Sequence, residues 1–113
     1  MFKKSKNQGN LDYRSWITQV DIAANAIITS KNYFSDLYNS SEVIVLNQKE
    51  CIKHRNILRD NQNILDNLLY VGKNYNFRIP DFLIKTYDFK LKKSLSKYNT
   101  EIENRNKDFN FFF

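Results

Sequence analysis

Turn formers are nearly missing from this chain. It has two glycines and one proline in 113 residues, which excludes collagen-like sequence and flexible linkers rich in glycine or serine. Cysteine occurs once, at Cys51, which excludes an internal disulfide framework and any zinc site built on several cysteines. Histidine also occurs once, at His54, three residues after that cysteine. A Cys-x-x-His step can supply two metal ligands or a thiol–imidazole pair, but no second pair completes a metal site. Nor does a glycine-rich oxyanion or phosphate loop accompany it. The carboxylates are scattered, without a pair placed for acid–base work. The sequence therefore reads as non-catalytic, without cofactor or small-molecule substrate. No apolar run approaches the roughly 20 residues of a membrane span. The N-terminal MFKKSKNQGN is basic but has no apolar signal core, so no membrane partner is expected.

What the chain does hold is positive charge, aromatic residues and asparagine. The net charge is +6, aromatic residues make up 15%, and the only alanines are Ala23, Ala24 and Ala26. That bias fits an AT-rich genome, such as those of organelles and phages, and concerns codons rather than function. The charge favours a polyanionic partner, with ordinary solubility charge as the alternative. Its distribution is uneven. Lys73, Arg78, Lys85, Lys90, Lys92, Lys93 and Lys97 face only Asp81 and Asp88 in that stretch, and Lys3, Lys4 and Lys6 add to the N-terminus.

Residues 1–10 read as a flexible basic arm, 11–98 as one domain and 99–113 as a C-terminal helix and tail. Trp16, Ile17, Val20, Ala24, Ile27 and Ile28 recur at helical steps, predicting a helix over Leu11–Ile28. Ser30 suits the N-cap of a second, shorter helix carrying Phe34, Leu37 and Tyr38. Asn39–Ser41 reads as a turn and the run Val43–Leu46 as a strand. Ile57, Leu58, Ile64, Leu65, Leu68 and Leu69 predict a helix over about 49–71, with Gly72 as its stop. Asn76–Ile79 precedes the proline and is expected to be extended. Phe82 and Ile84 suggest another extended piece, and Phe89-Lys90-Leu91 a half-buried strand. Leu95, Tyr98 and Ile102 predict a last helix. The closing FNFFF is expected to fold onto the core or dock on a partner.

Three phrases carry a resemblance. SKNYFSDL (Ser30–Leu37), IVLNQK (Ile44–Lys49) and RIPDFLIKTYD (Arg78–Asp88) occur in the order helix, strand, proline-led segment. Together they resemble the S-four-type RNA-binding domain, named for the fourth protein of the small ribosomal subunit. Ile79-Pro80, Phe82, Ile84-Lys85 and Asp88 fall at that family's spacing. Departures are a helix inserted between the halves, Ser35 where the family often has arginine, Gln48 for a glycine of the strand phrase, and Tyr87 for a glycine of the turn.

The resemblance implies an α+β fold, with helices packed on a small, mainly antiparallel sheet and a long helical insertion between strands. It implies a structural rRNA-binding component of a small ribosomal subunit, in a mitochondrial or other organellar ribosome, with neighbouring ribosomal proteins as further partners. Structured RNA would be recognised through phosphates and 2′-hydroxyls. Lys31, Lys49, Arg78 and Lys85 are the module contacts it implies. Lys53, Arg55 and Arg59 on the inserted helix, with Lys90, Lys92 and Lys93, are candidates for added backbone contacts; each also reads as a solvated surface charge. The alternative function is a small helical protein-interaction factor of a phage or mobile element, cytoplasmic, in which RIPDF is merely a turn.

Overall fold

The structure, a computed structural model, describes residues 12–39 and 48–111, with side chains over 12–38 and 48–105. These residues form α1 (Tyr13–Asn39), α2 (Gln48–Asn74), the single turn α3 (Asp81–Ile84) and α4 (Phe89–Phe111). No strand occurs among them, so the expected α+β fold is corrected to an all-helical one. The basic arm, Ser40 and Ser41 of the expected turn, the strand Val43–Leu46 and the FNFFF side chains lie outside the described residues.

α1 is one helix, not two. Trp16, Val20, Ala23, Ala24 and Ile27 are buried along its inner face, and Ser30 continues that face at 1% exposure. A capping preference acts locally, whereas the inner face runs on through Ser30 to the half-buried Phe34, so the helix continues past it. α2 returns antiparallel to α1. Trp16 Nε1 donates to the Leu68 carbonyl at 2.7 Å, and Ser30 Oγ lies 3.3 Å from His54 Nδ1 further along. α4 lies across both. Lys31 meets Asp88 just before its start, and the Trp16 and Tyr98 rings lie 6.2 Å apart lower down. α4 is thus antiparallel to α1 and parallel to α2. Leu91, Leu95, Tyr98 and Ile102 complete the core with Leu65 of α2.

Gly72 does not stop α2, which runs on to Asn74. Asn76 takes the left-handed conformation at φ 58°. The Phe77 amide reaches back to the Gly72 carbonyl (2.9 Å) and the Asn76 amide to that of Lys73 (3.2 Å), which closes the helix end. Asparagine tolerates this conformation, so a glycine is not required there. Of the stretch Asn76–Ile79 expected to be extended, Asn76 is thus corrected to a left-handed turn residue, and Phe77–Ile79 runs without helix into Pro80.

The rest of the crossover corrects two expected extended pieces. Pro80, at φ −60°, starts the one-turn helix α3, where its missing N–H costs no bond. Phe89-Lys90-Leu91 is the first turn of α4, not a strand. Asp88 Oδ1 accepts the Leu91 amide at 2.9 Å, so Asp88 is an N-cap. Phe89 points out, 76% exposed, while Leu91 is buried, a separation that helical steps give as readily as alternation does.

The crossover is held to the bundle by side chains. Tyr13 and Tyr98 hydroxyls donate to the Arg78 and Phe77 carbonyls at 2.7 and 2.8 Å, and the Tyr87 hydroxyl to Asp21 Oδ1 at 2.7 Å. Burial pushes the Tyr98 phenol up to about 12, so it remains a donor at neutral pH. The Asp88 carboxyl is held below its ordinary value, first by the Leu91 amide and then by Lys31. Its folded value is depressed, so its contribution is present above the unfolded value and lost as pH falls through the folded one. Asp88→Ala is expected to lose about 1 kcal/mol at pH 7, as caps generally do, and Asp88→Asn to retain most of it. Denaturation curves at pH 7 and pH 2 check this, because the gap between wild type and Asp88→Ala closes in acid.

Candidate functional site

The parallel packing of α2 and α4 leaves a groove between them. Its upper part is walled by Lys31, Gln62, Lys90 and Ser94 over a floor of Ile27 and Leu91, with a volume of about 240 Å³. Its lower part holds Asp66, Tyr70, Lys73, Ser94, Lys97 and Glu101, with a volume of about 280 Å³. Ser94 belongs to both, so the two parts form one trough. Four lysines line it against two carboxylates, Asp66 and Glu101.

The four lysines are not equivalent. Lys31 is paired with Asp88 at 3.0 Å and Lys73 with Glu101 at 2.9 Å. The Lys73 ammonium, through its hydrogen bond, lowers the Glu101 carboxyl below its usual range. Lys90 and Lys97 form no ion pair with any described residue. These two place charge that no ion pair engages at the lip of the trough, one in each half, although each also acts at longer range on Asp88 or Glu101.

Two more cations extend the trough along α2. Arg55 stands seven residues before Gln62, and Arg59 seven before Asp66, so two helical turns place each on the groove-facing side. Both are exposed, and Arg59 also contacts Asp60 at 3.3 Å. Lys93, one turn from both Lys90 and Lys97, lies exposed on the outer lip of α4. From Arg55 to Lys73 the basic edge runs about 27 Å at the helical rise.

The structure therefore gathers Lys31, Arg55, Arg59, Lys90 and Lys93 and leaves the other expected contacts elsewhere. Lys49 and Lys53 fall on the flank of α2 that carries Asp60 and Ile64, away from α4. Lys92 lies seven residues before Asn99, on the side of α4 that faces the crossover. Lys85 is exposed on the turn after α3. The Arg78 guanidinium is engaged by Glu103 at 2.6 Å and Asp81 at 3.2 Å, and the Glu103 bond holds it firmly charged. Sequence reasoning missed Lys73, Lys97 and Tyr70 as members of the site. The spacing Lys90–Lys93–Lys97 carries the signal, but it becomes visible only when residues 89–93 are read as helix.

Two other features are less suited to a site. At the upper end of the hairpin, His54 stacks on Tyr33 with ring centroids 4.0 Å apart, and the Tyr33 hydroxyl lies 3.9 Å from Cys51 Sγ. Ser30, His54 and Glu50 share residue types with a hydrolytic triad, but Ser30 is buried between helices and His54 Nε2 is 3.7 Å from the carboxylate. The arrangement packs the hairpin. No group of three potential metal ligands exists among the described residues. A larger hollow of about 450 Å³ opens between α1 and α3, walled by Tyr13, Ile17, Pro80, Phe82 and Leu83. Its charged neighbours, Arg14 and Asp21, are of opposite sign, so it favours no ion. The chain matches no family model, no curated protein and no solved structure.

Proposed function

We propose that this chain is a non-catalytic RNA-binding protein whose contact face is the α2/α4 trough. The supporting observation is the convergence of Lys31, Lys73, Lys90 and Lys97 from three helices on one groove, with Arg55 and Arg59 in line above it. Cations arranged along an edge neutralise successive phosphates and release their counterions, which drives binding in a salt-dependent way. The S-four-type resemblance suggests a ribosomal RNA of an organellar small subunit. The sheet which that resemblance implies does not occur among the described residues, so the trough alone supports the RNA reading.

The test is RNA affinity across a salt series. Arg55→Ala, Lys90→Ala and Lys97→Ala together are expected to weaken binding and to flatten the salt slope by roughly 2, at about 0.7 per lost phosphate contact on a single strand. Lys49→Ala with Lys53→Ala should change it little. Equal losses in the two variants would defeat the assignment of the face.

A protein-docking role is the second reading, and it is supported by the all-helical bundle with RIPDF at a turn among the described residues, and by one exposed side chain. Phe82 is 74% exposed at the mouth of the apolar hollow between α1 and α3. Salt-independent behaviour, with no RNA bound by wild type, would favour this reading.

A further inference from the structure

Tyr70 differs from the other aromatic residues in its surroundings. Tyr13, Trp16, Phe77 and Tyr98 share one ring cluster, and Tyr33 lies on His54. Tyr70 packs against no other ring of a described residue and is 70% exposed, yet it forms part of the trough wall. Tyr38, Phe89 and Phe82 are more exposed, but none lines the trough, and Phe82 borders the hollow where Arg14 and Asp21 are of opposite sign. A large apolar ring left to solvent beside cations is positioned to receive another flat ring.

We infer that the trough takes an unpaired strand of RNA, with one base stacked on Tyr70 and neighbouring phosphates on Lys73, Lys90 and Lys97. This rests on the RNA-binding reading above and specifies the class of RNA. A paired duplex keeps its base faces against one another and offers Tyr70 nothing to stack on, whereas an unpaired strand exposes them. Lys73 is three residues from Tyr70 on the same helix, and Lys97 stands across the trough, so phosphates fit on either side of a stacked base. Asp66, one turn before Tyr70, forms no ion pair with a described residue. Its carboxylate repels a phosphate at Tyr70 itself and accepts a hydrogen bond from a ribose hydroxyl or a base amino group. Higher up, Gln62 and Ser94 provide uncharged partners for 2′-hydroxyls.

The experiment measures binding of the full chain to a labelled single-stranded RNA of mixed sequence. The same RNA annealed to its complement and the same sequence as DNA complete the set. Wild type, Tyr70→Ala, Tyr70→Phe and a Lys90→Ala/Lys97→Ala variant are compared. Tyr70→Ala is expected to weaken the single strand about five- to hundred-fold, the range of aromatic–base stacking, and to leave the duplex unchanged. Tyr70→Phe restores the affinity, and single-stranded DNA binds more weakly than RNA. Because Tyr70 is on the surface, all variants should melt with wild type, which separates lost stacking from lost folding. If Tyr70→Ala binds the single strand as wild type does while the lysine variant fails, the trough binds anions without stacking and the inference is overturned. Equal binding of RNA and DNA overturns the ribose contacts. If wild type binds no nucleic acid, or binds a polyglutamate equally well, the RNA reading itself falls.

Discussion

Gly72→Ala is expected to destabilise the protein by about 3 kcal/mol, at the upper end of what adding one methyl to a packed core costs. On helix propensity alone the same change gains about 1 kcal/mol, so the sign depends on space. There is none. A Cβ at position 72 meets Trp16 Cζ2 and lies 2.6 Å from the Tyr98 hydroxyl and 2.7 Å from Trp16 Cε2. Neither neighbour is free to retreat. The Trp16 indole donates to the Leu68 carbonyl at 2.7 Å and lies among the rings of Tyr13, Phe77 and Tyr98. The Tyr98 hydroxyl donates to Phe77, so moving it loosens the crossover. Denaturant unfolding of the two proteins checks this. A variant as stable as wild type would mean that α1 and α2 can separate at Trp16, contrary to the packing.

Asn99→Ala is expected to cost about 2–6 kcal/mol, because it strands two buried backbone groups at roughly 1–3 kcal/mol each. Asn99 is 3% exposed and holds Ile79 from both sides: its Oδ1 accepts the Ile79 amide at 2.9 Å, and its Nδ2 donates to the Ile79 carbonyl at 2.7 Å. A side-chain amide thus supplies what a neighbouring strand would have given. Asn99→Asp separates the two bonds. A carboxylate still accepts from the amide but places a second oxygen against the Ile79 carbonyl, whereas a protonated carboxyl donates to it. Burial and that carbonyl both raise the folded value of such a carboxyl. Its stabilising contribution is therefore present below the unfolded value and lost as pH rises through the folded one. The Asp variant should gain stability relative to Asn99→Ala between pH 7 and pH 4, as measured by denaturation. A pH-independent difference would sink the two-bond account.

The long helices were legible because their signal is long. Trp16 to Ile28 and Ile57 to Leu69 repeat the apolar spacing over several turns, and both segments are helical. The crossover was misread because its signals are short. Ile79-Pro80, Phe82 and Ile84 match a β-type phrase in spacing, but Asn99, twenty residues away, holds the Ile79 backbone, and no local pattern announces that partner. Asp88 could have been read as a cap, since its side chain needs only an amide three residues on. Lys31, suggested by the S-four-type phrase, and Lys90, suggested by its charge, both line the trough. Arg78, suggested by the same resemblance as Lys31, lies away from it, and Glu103 arrives from α4 to pair with it. Charge is visible in sequence, but whether another element cancels it is a property of the packing.

α4 begins level with Lys31, and this divides the hairpin into unequal parts. Among the described side chains of α1, up to Tyr38, nothing beyond Ser30 is buried, and in α2 no residue before Leu65 is. The far part is two helices thick, held by the Tyr33–His54 stack and the Ser30–His54 contact. The bundle below is three helices thick, with the cooperative core. The upper hairpin, joined at its tip by the chain between α1 and α2, thus has little buried surface to hold it against local opening. Its amide hydrogens are expected to exchange ahead of those in the three-helix part that carries the trough.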